Sequence, residues 1–267
     1  MNITEQLREL IASVDGILAV AAKNLTTGEE IMINEHEPFV AASVIKVPVM
    51  VEVFKQAYEG KLRLDQTVKI VKEDQVGGSG VILELTPGVE LPVRDLVNLM
   101  IVVSDNSATN MLIDLVGAEN VTNTMAEMGL QNTKLYNKLM VIQVKRPGTN
   151  TITAWDMTHL FDLMAHGKII SWLDCERMVQ VLKRQQYNDL IPGGIAEFGH
   201  EGLIGALPKV EVAHKTGSIN GVRHDSGIVY LPNTSYAITI LSKKLKDEAK
   251  GIEVIRAISK AIYEYWK

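Results

Sequence analysis

The sequence predicts an α+β fold: an antiparallel sheet built from both chain ends, flanked by helices, with a helical subdomain inserted between them. Three observations carry that prediction. Short β-like apolar blocks sit near both termini, and the long middle repeats its apolar residues at helical spacing. No internal repeat, low-complexity tract or Pro/Gly/Ser linker separates the two ends. The 267 residues are therefore expected to form a single domain, with an α/β part at about 1–42 and 195–267 and a helical part at about 43–194.

The elements follow in order. Ile3, Leu7, Leu10 and Ile11 share one face of a helix over 3–13, which Asp15-Gly16 ends. Ile17–Ala22 and Glu30–Asn34 read as two strands joined by the turn Asn24-Leu25-Thr26-Thr27-Gly28. A helical run spans Val44–Lys55, with Ser43 to Val47 as a tight turn because Pro48 would break a regular interior. Val93, Leu96, Val97 and Met100 mark the next helix, and Met111, Leu112 and Leu115 another. Asp156–Met164 and Glu176–Leu182 also read as helical. Three strands follow, near Val210–His214, Gly227–Leu231 and Tyr236–Leu241, the last after a turn at Pro232-Asn233. Ile252, Ile255, Ile258 (or Ser259) and Ile262 define a closing helix.

Composition excludes several classes. A hydrophobic share of 46% and a charged share of 22% are those of an ordinary globular chain. A net charge of −5 with no basic run argues against a nucleic-acid partner. One cysteine, Cys175, permits no intramolecular disulfide and no cysteine-built metal site, and no metal or organic cofactor is expected. The N-terminus has neither the basic nor the apolar region of a signal peptide, and no apolar run approaches the ~20 residues that span a bilayer. As written the chain reads as cytoplasmic and without a membrane anchor, or as exported if a signal has been removed. A monomer is expected.

The chemistry concentrates in three motifs: Ser43-Val44-Ile45-Lys46, Ser104-Asp105-Asn106 and Lys215-Thr216-Gly217. A Ser-x-x-Lys spacing alone arises by chance roughly once in a chain of this length, but the three in this order are hard to assign to chance. Taken singly, each has a plain structural reading. Ser43 and Asp105 suit helix N-caps, and Lys215 suits a polar strand end. Together they fit an acyl-transfer site. Lys46 lies three residues from Ser43, on the same helix face, and can take the serine proton if burial or a second cation lowers its pKa. Lys215 is that second cation. Ser104 can relay a proton to a leaving nitrogen, and the Asn106 amide can hold both substrate and Lys46. Lys215 and Thr216 can bind a substrate carboxylate. Gly217 removes a Cβ that would obstruct the substrate, and the N–H groups of Ser43 and Ser218 can form an oxyanion hole.

With these residues in view, the chain resembles the class A β-lactamase and penicillin-binding serine-hydrolase superfamily, in which the same three motifs occur. The likeness covers roughly residues 15–265 and includes Leu96–Gly117 and Gly221–Tyr230. It implies that Ser43 is acylated, Lys46 is its base partner, Ser104 relays protons, and Lys215 with Thr216 binds the carboxylate, supplemented by Arg223. It implies a small-molecule substrate bearing that carboxylate, a β-lactam or a related amide or ester. Two departures stand out. The segment Leu135–Gly148, where class A enzymes carry a glutamate for the deacylating water, holds no acid and instead carries Lys138, Lys145 and Arg146. Deacylation is therefore expected to be impaired, since a missing general base costs about 10²- to 10⁴-fold. Gly77-Gly78-Ser79-Gly80 reads as a flexible loop where many relatives place an aromatic. An esterase or amidase of the same fold, or a penicillin-binding receptor without turnover, are the alternative readings.

Overall fold

A computed structural model describes residues 2–140, 148–199 and 209–267. The chain opens on α1 (Ile3–Ala12), fixed by a reciprocal cap. The Asn2 side chain accepts from the Thr4 N–H (3.1 Å), and Glu5 accepts from the Asn2 N–H (3.3 Å). β1 (Ile17–Asn24) and β2 (Glu30–Ile33) form the expected hairpin, and the short β3 (Phe39–Val40) follows. Next come α2 (Lys46–Tyr58), β4 (Thr67–Lys69), β5 (Glu90–Pro92), α3 (Val93–Val102), α4 (Asn106–Val116) and α5 (Ala118–Glu127). The remainder comprises β6 (Thr151–Ile152), α6 (Ala154–Ala165), α7 (Trp172–Leu182), β7 (Glu211–Ile219), β8 (Val222–Tyr230), β9 (Ser235–Lys243) and α8 (Glu248–Trp266).

Among the described residues, five strands make the main sheet in the order β2-β1-β9-β8-β7, antiparallel throughout, so both chain ends contribute to it. Alternation along β1 assigns its two faces. Leu18, Val20 and Ala22 meet Leu7 of α1 and Ile255, Ile258 and Ile262 of α8. Ala19 and Ala21 face the other way, into the core shared with α2, α3, α4 and α6. Full burial of a side chain such as Leu7 or Ile255 stabilises the fold by about 2 kcal/mol each. Among the described residues β7 is an edge strand, which leaves alternate backbone N–H and C=O groups without a strand partner there. No described helix is long and apolar enough to cross a membrane.

Several boundaries depart from the sequence reading. β7 runs on to Ile219, so the Lys215 motif lies inside a strand and does not end it. β8 starts at Val222, five residues before Gly227, because Arg223 to Ser226 are polar residues paired with β7. α7 starts at Trp172, capped by Ser171, whose hydroxyl accepts from the Asp174 N–H (3.1 Å). α5 has no counterpart in the sequence reading. Its buried residues are Val121, Thr124 and Met125, and the threonine obscures the apolar period.

Candidate active site

Ser43 sits in a 3-10 turn, Ala42–Ile45, that leads directly into α2. Pro48 is the third residue of α2, where its missing N–H removes no helical bond. Ala42 takes a left-handed φ of 43°. That bend is held by the Ala41 N–H donating to the Asn150 carbonyl (2.8 Å) and the Val44 N–H donating to the Ala41 carbonyl (3.1 Å). Ser43 is not a side-chain cap for either helix, and among the described residues its hydroxyl has no hydrogen-bond partner. It is half-buried and lines a cleft of about 510 Å³.

Lys46 lies fully buried one turn along. Its ammonium donates to the Ser104 carbonyl (2.7 Å), the Ser104 hydroxyl (2.9 Å) and the Asn106 Oδ1 (2.9 Å), three acceptors for three protons. Ser104 can turn both of its oxygens to one nitrogen because its φ is 55°, a conformation uncommon for a non-glycine residue. Burial, and then the neighbouring Lys215 charge, push Lys46 well below the ordinary lysine range, with Asp105 opposing. Lys215 is also fully buried and donates to the Thr216 carbonyl (2.8 Å). Burial pushes it down to about 7, against the pull of Asp225.

Asp105 is a cap, as its type suggests. Its Oδ1 accepts from the Ala108 N–H (2.9 Å) at the start of α4, and its Oδ2 accepts from Val81 (2.6 Å) and Ile82 (2.8 Å). Those last bonds draw the glycine-rich segment onto the motif. Asn106 completes the attachment: its N–H donates to the Ser79 carbonyl (3.0 Å) and its Nδ2 to the Gly77 carbonyl (3.0 Å). Gly80, at φ 106°, lies so close to Asp105 that a Cβ would come within 2.2 Å of its carboxylate. The glycines thus permit close attachment, which differs from the flexible loop expected of them.

Gly217 also has a different reason from the one expected. A Cβ there would stand 3.1 Å from the backbone nitrogens of Ser43 and Val44, so the glycine lets the Ser43 turn rest on β7. Arg223 is committed elsewhere: it donates to the Ile219 carbonyl (3.0 Å) and pairs with Glu248 of α8. Ser218, by contrast, lines the cleft beside Ser43 and Asn106.

The opposite wall comes from the segment singled out for lacking an acid, of which 141–147, with Lys145 and Arg146, lie outside the described residues. Asn137, Leu139 and Met140 line the cleft, a role the motifs could not reveal. The Asn110 side chain holds the Leu139 backbone reciprocally, at 2.8 Å in both directions. Asn150 Oδ1 accepts from the N–H groups of Tyr136 (2.8 Å) and Asn137 (2.9 Å), its Nδ2 donates to the Asn137 carbonyl (2.9 Å), and Asn137 donates to the Gly148 carbonyl (2.6 Å). The lack of acids in this stretch was the only sequence signal. Lys138 pairs with Asp114. A larger hollow of about 930 Å³, lined by Arg63, Arg94, Arg177 and Arg184, includes none of the motif residues. Chemistry therefore favours the smaller cleft.

The comparisons agree with this geometry. The chain belongs to the beta-lactamase enzyme family, whose model matches residues 2–266. It is 25% identical to the beta-lactamase VEB-1 of Pseudomonas aeruginosa across 99% of this chain and 90% of that protein. It resembles the crystal structure of a beta-lactamase from Sphaerobacter thermophilus with a TM-score of 0.88 and 28% identity, over 98% of this chain and 97% of that one. PBP-A, as a leucine-to-glutamate variant in acyl-enzyme complex with penicillin G, superposes with a TM-score of 0.89 and 29% identity, covering 99% of this chain and 96% of that one. The chain is a β-lactamase-like serine hydrolase with the corresponding α+β fold.

Proposed function

We propose that the chain acylates Ser43 with a β-lactam or a related amide or ester bearing a carboxylate, and releases the product slowly. The observation that carries this reading is the buried Lys46 ammonium shared between Ser104 and Asn106, one helical turn from Ser43. In its neutral form Lys46 takes the Ser43 proton as Oγ attacks the carbonyl carbon, and the electron pair moves to the carbonyl oxygen. The Ser43 and Ser218 N–H groups stabilise that oxyanion. The proton then passes from Lys46 across the 2.9 Å contact to the Ser104 hydroxyl, which delivers its own proton to the leaving nitrogen as the C–N bond breaks. Lys215 and Thr216 bind the substrate carboxylate, and Asn106 positions the substrate. Arg223 contributes through the Ile219 carbonyl it holds, and Gly217 through the approach it allows. Residues 1–267 act as one domain and as a monomer.

Slow release follows from the wall facing Ser43. In its described part this wall presents Leu139, Met140 and the amide of Asn137, with no carboxylate. The acyl-enzyme of the PBP-A variant with penicillin G supports the same intermediate here. Time-resolved mass spectrometry of the protein with penicillin tests both steps. A fast adduct on Ser43 that decays slowly is expected. An adduct on another residue would sink the nucleophile assignment, and fast hydrolysis without an adduct would sink the slow step. A permanent adduct would favour the receptor reading, and cleavage of esters alone the esterase.

A further inference from the structure

The larger hollow, of about 930 Å³, lies between α2, α3 and α7 and takes no part in the reaction sequence above. Its size is that of a small-molecule pocket. Phe54 of α2, Leu62, Val97 of α3 and Val181 of α7 give it an apolar floor. Four arginines and three carboxylates stand around that floor, a local surplus of positive charge in a chain whose net charge is −5.

The surplus can be located. Arg63 is engaged by Asp65, at 3.0 and 2.7 Å, and Arg177 pairs with Asp174 at 3.2 Å. The third carboxylate, Glu176, accepts from Gln180 (2.7 Å). Arg94 and Arg184 differ. Among the described residues Arg94 has one carboxylate neighbour, Asp95, at 3.9 Å, which is too long for a hydrogen bond. Arg184 forms no ion pair among them and donates to the neutral Oδ1 of Asn98 (2.9 Å). Asn98 lies one turn from Arg94 on the same face of α3, so this bond draws Arg184 to the side of the hollow that carries Arg94. Two cations gathered there repel unless an anion lies between them. Guanidinium groups suit that anion, because their paired N–H donors match carboxylate and phosphate oxygens.

We propose that this hollow is a second binding site, for an amphipathic anion whose carboxylate or phosphate head is held by Arg94 and Arg184 and whose apolar chain lies on the floor between Phe54 and Val181.

The two halves of the site require each other. An inorganic anion would leave the apolar floor in water, and a neutral hydrocarbon would leave both guanidinium groups without an acid. Each methylene laid on such a floor is worth about fourfold in affinity. No residue lines both this hollow and the Ser43 cleft, so occupancy of one leaves the other open.

Calorimetric titration of the whole protein with dodecanoate, kept below its micelle concentration, tests the site. Saturable binding of one dodecanoate per chain is expected. Methyl NMR shifts should fall on Val97 and Val181 and spare Val40 and Ile219, which line the Ser43 cleft. Arg94→Gln and Arg184→Gln should each weaken binding about tenfold, the usual effect of losing one charge-assisted hydrogen bond. Both arginines are exposed, so both variants should fold. Octanoate, with four fewer methylenes, should bind at least tenfold more weakly, and dodecyltrimethylammonium should not bind. Dodecyl phosphate run in parallel identifies the head: tighter binding than dodecanoate assigns a phosphate monoester, and equal or weaker binding a carboxylate. Failure of both anions to bind, equal binding of the ammonium, shifts at Val40 and Ile219 in place of Val97 and Val181, or binding untouched by both substitutions would overturn the proposal. None of these readouts uses the Ser43 hydroxyl, so the outcome is independent of the acylation reading.

Discussion

The floor and the facing wall of the cleft are built on opposite principles. In the floor, Lys46 and Lys215 are fully buried cations, and Ser104 is held in a left-handed backbone conformation to serve Lys46. Each of these features costs stability and suits the formation of a covalent bond at Ser43. The wall, from Tyr136 to Met140 and Gly148 to Asn150, is held by neutral amides. Asn110, Asn137 and Asn150 hold the backbone, and Leu139 and Met140 face the cleft. Under the proposed function the contrast divides the reaction: acylation would belong to the floor, and the described part of the wall offers no carboxylate for hydrolysis.

The floor can be broken outright. Ser43→Ala should abolish the penicillin adduct in mass spectrometry while circular dichroism stays unchanged, because the Ser43 hydroxyl makes no hydrogen bond among the described residues. Lys46→Met should slow acylation by about 10³-fold, within the usual range for a lost general base. In the unmodified protein, stopped-flow acylation should rise with pH through a group well below the ordinary lysine range, since Lys46 must be neutral to accept the proton. A flat profile between pH 6 and 10 would remove the lysine base.

The wall can be converted. Leu139 lines the cleft with Ser43, and Asn110 fixes its backbone. Leu139→Glu should increase steady-state penicillin turnover about 10- to 100-fold, in the lower part of the range for an added base, while the acylation burst stays the same. Loss of the burst, with turnover unchanged, would mean that the glutamate obstructs the cleft and that the acid-free wall does not set the proposed slow step.

The attachment of the glycine-rich segment to the floor should respond next. Gly80 lies against Asp105 at φ 106°, so Gly80→Ala combines backbone strain with a clash against a buried carboxylate. A loss of about 3 kcal/mol in urea unfolding is expected. A loss below 1 kcal/mol would show that the loop can move away from the motif.

How much of this was legible in the sequence depended on the range of the signal. The caps, the helical periods and the three motifs are local, and the fold, the cleft floor and the Asp105 cap all followed from them. The corrections share one cause. Lys215, Thr216 and Arg223 to Ser226 are polar residues that become strand through pairing with one another, so neither strand shows its true end in its own composition. Gly217 answers to a backbone 174 residues earlier, at Ser43, and Arg223 to a helix at Glu248. The wall was visible only as a lack of acids. That asparagines hold it in place depends on pairings such as Asn137 with Asn150, which no short motif contains.

The smallest expected effect concerns the cost of the floor itself. Lys215 titrates near 7 when folded, against 10.5 for a free lysine. Between those values the unfolded chain binds the proton more tightly, so the stability associated with this group increases with pH through that window and is lowest below about 7. Lys215→Met keeps most of the apolar stem and removes the charge. Linkage across about 3.5 pH units caps the gain at roughly 5 kcal/mol, and local relaxation should bring it to about 2 kcal/mol near pH 7. At pH 10 most of that difference should vanish, because the lysine is then neutral in the folded state and largely protonated only when unfolded. Urea titrations of both proteins at pH 7 and pH 10 read the comparison directly. If Lys215→Met is less stable than the parent at both values, the buried ammonium is well compensated, and the floor carries no strain that the wall lacks.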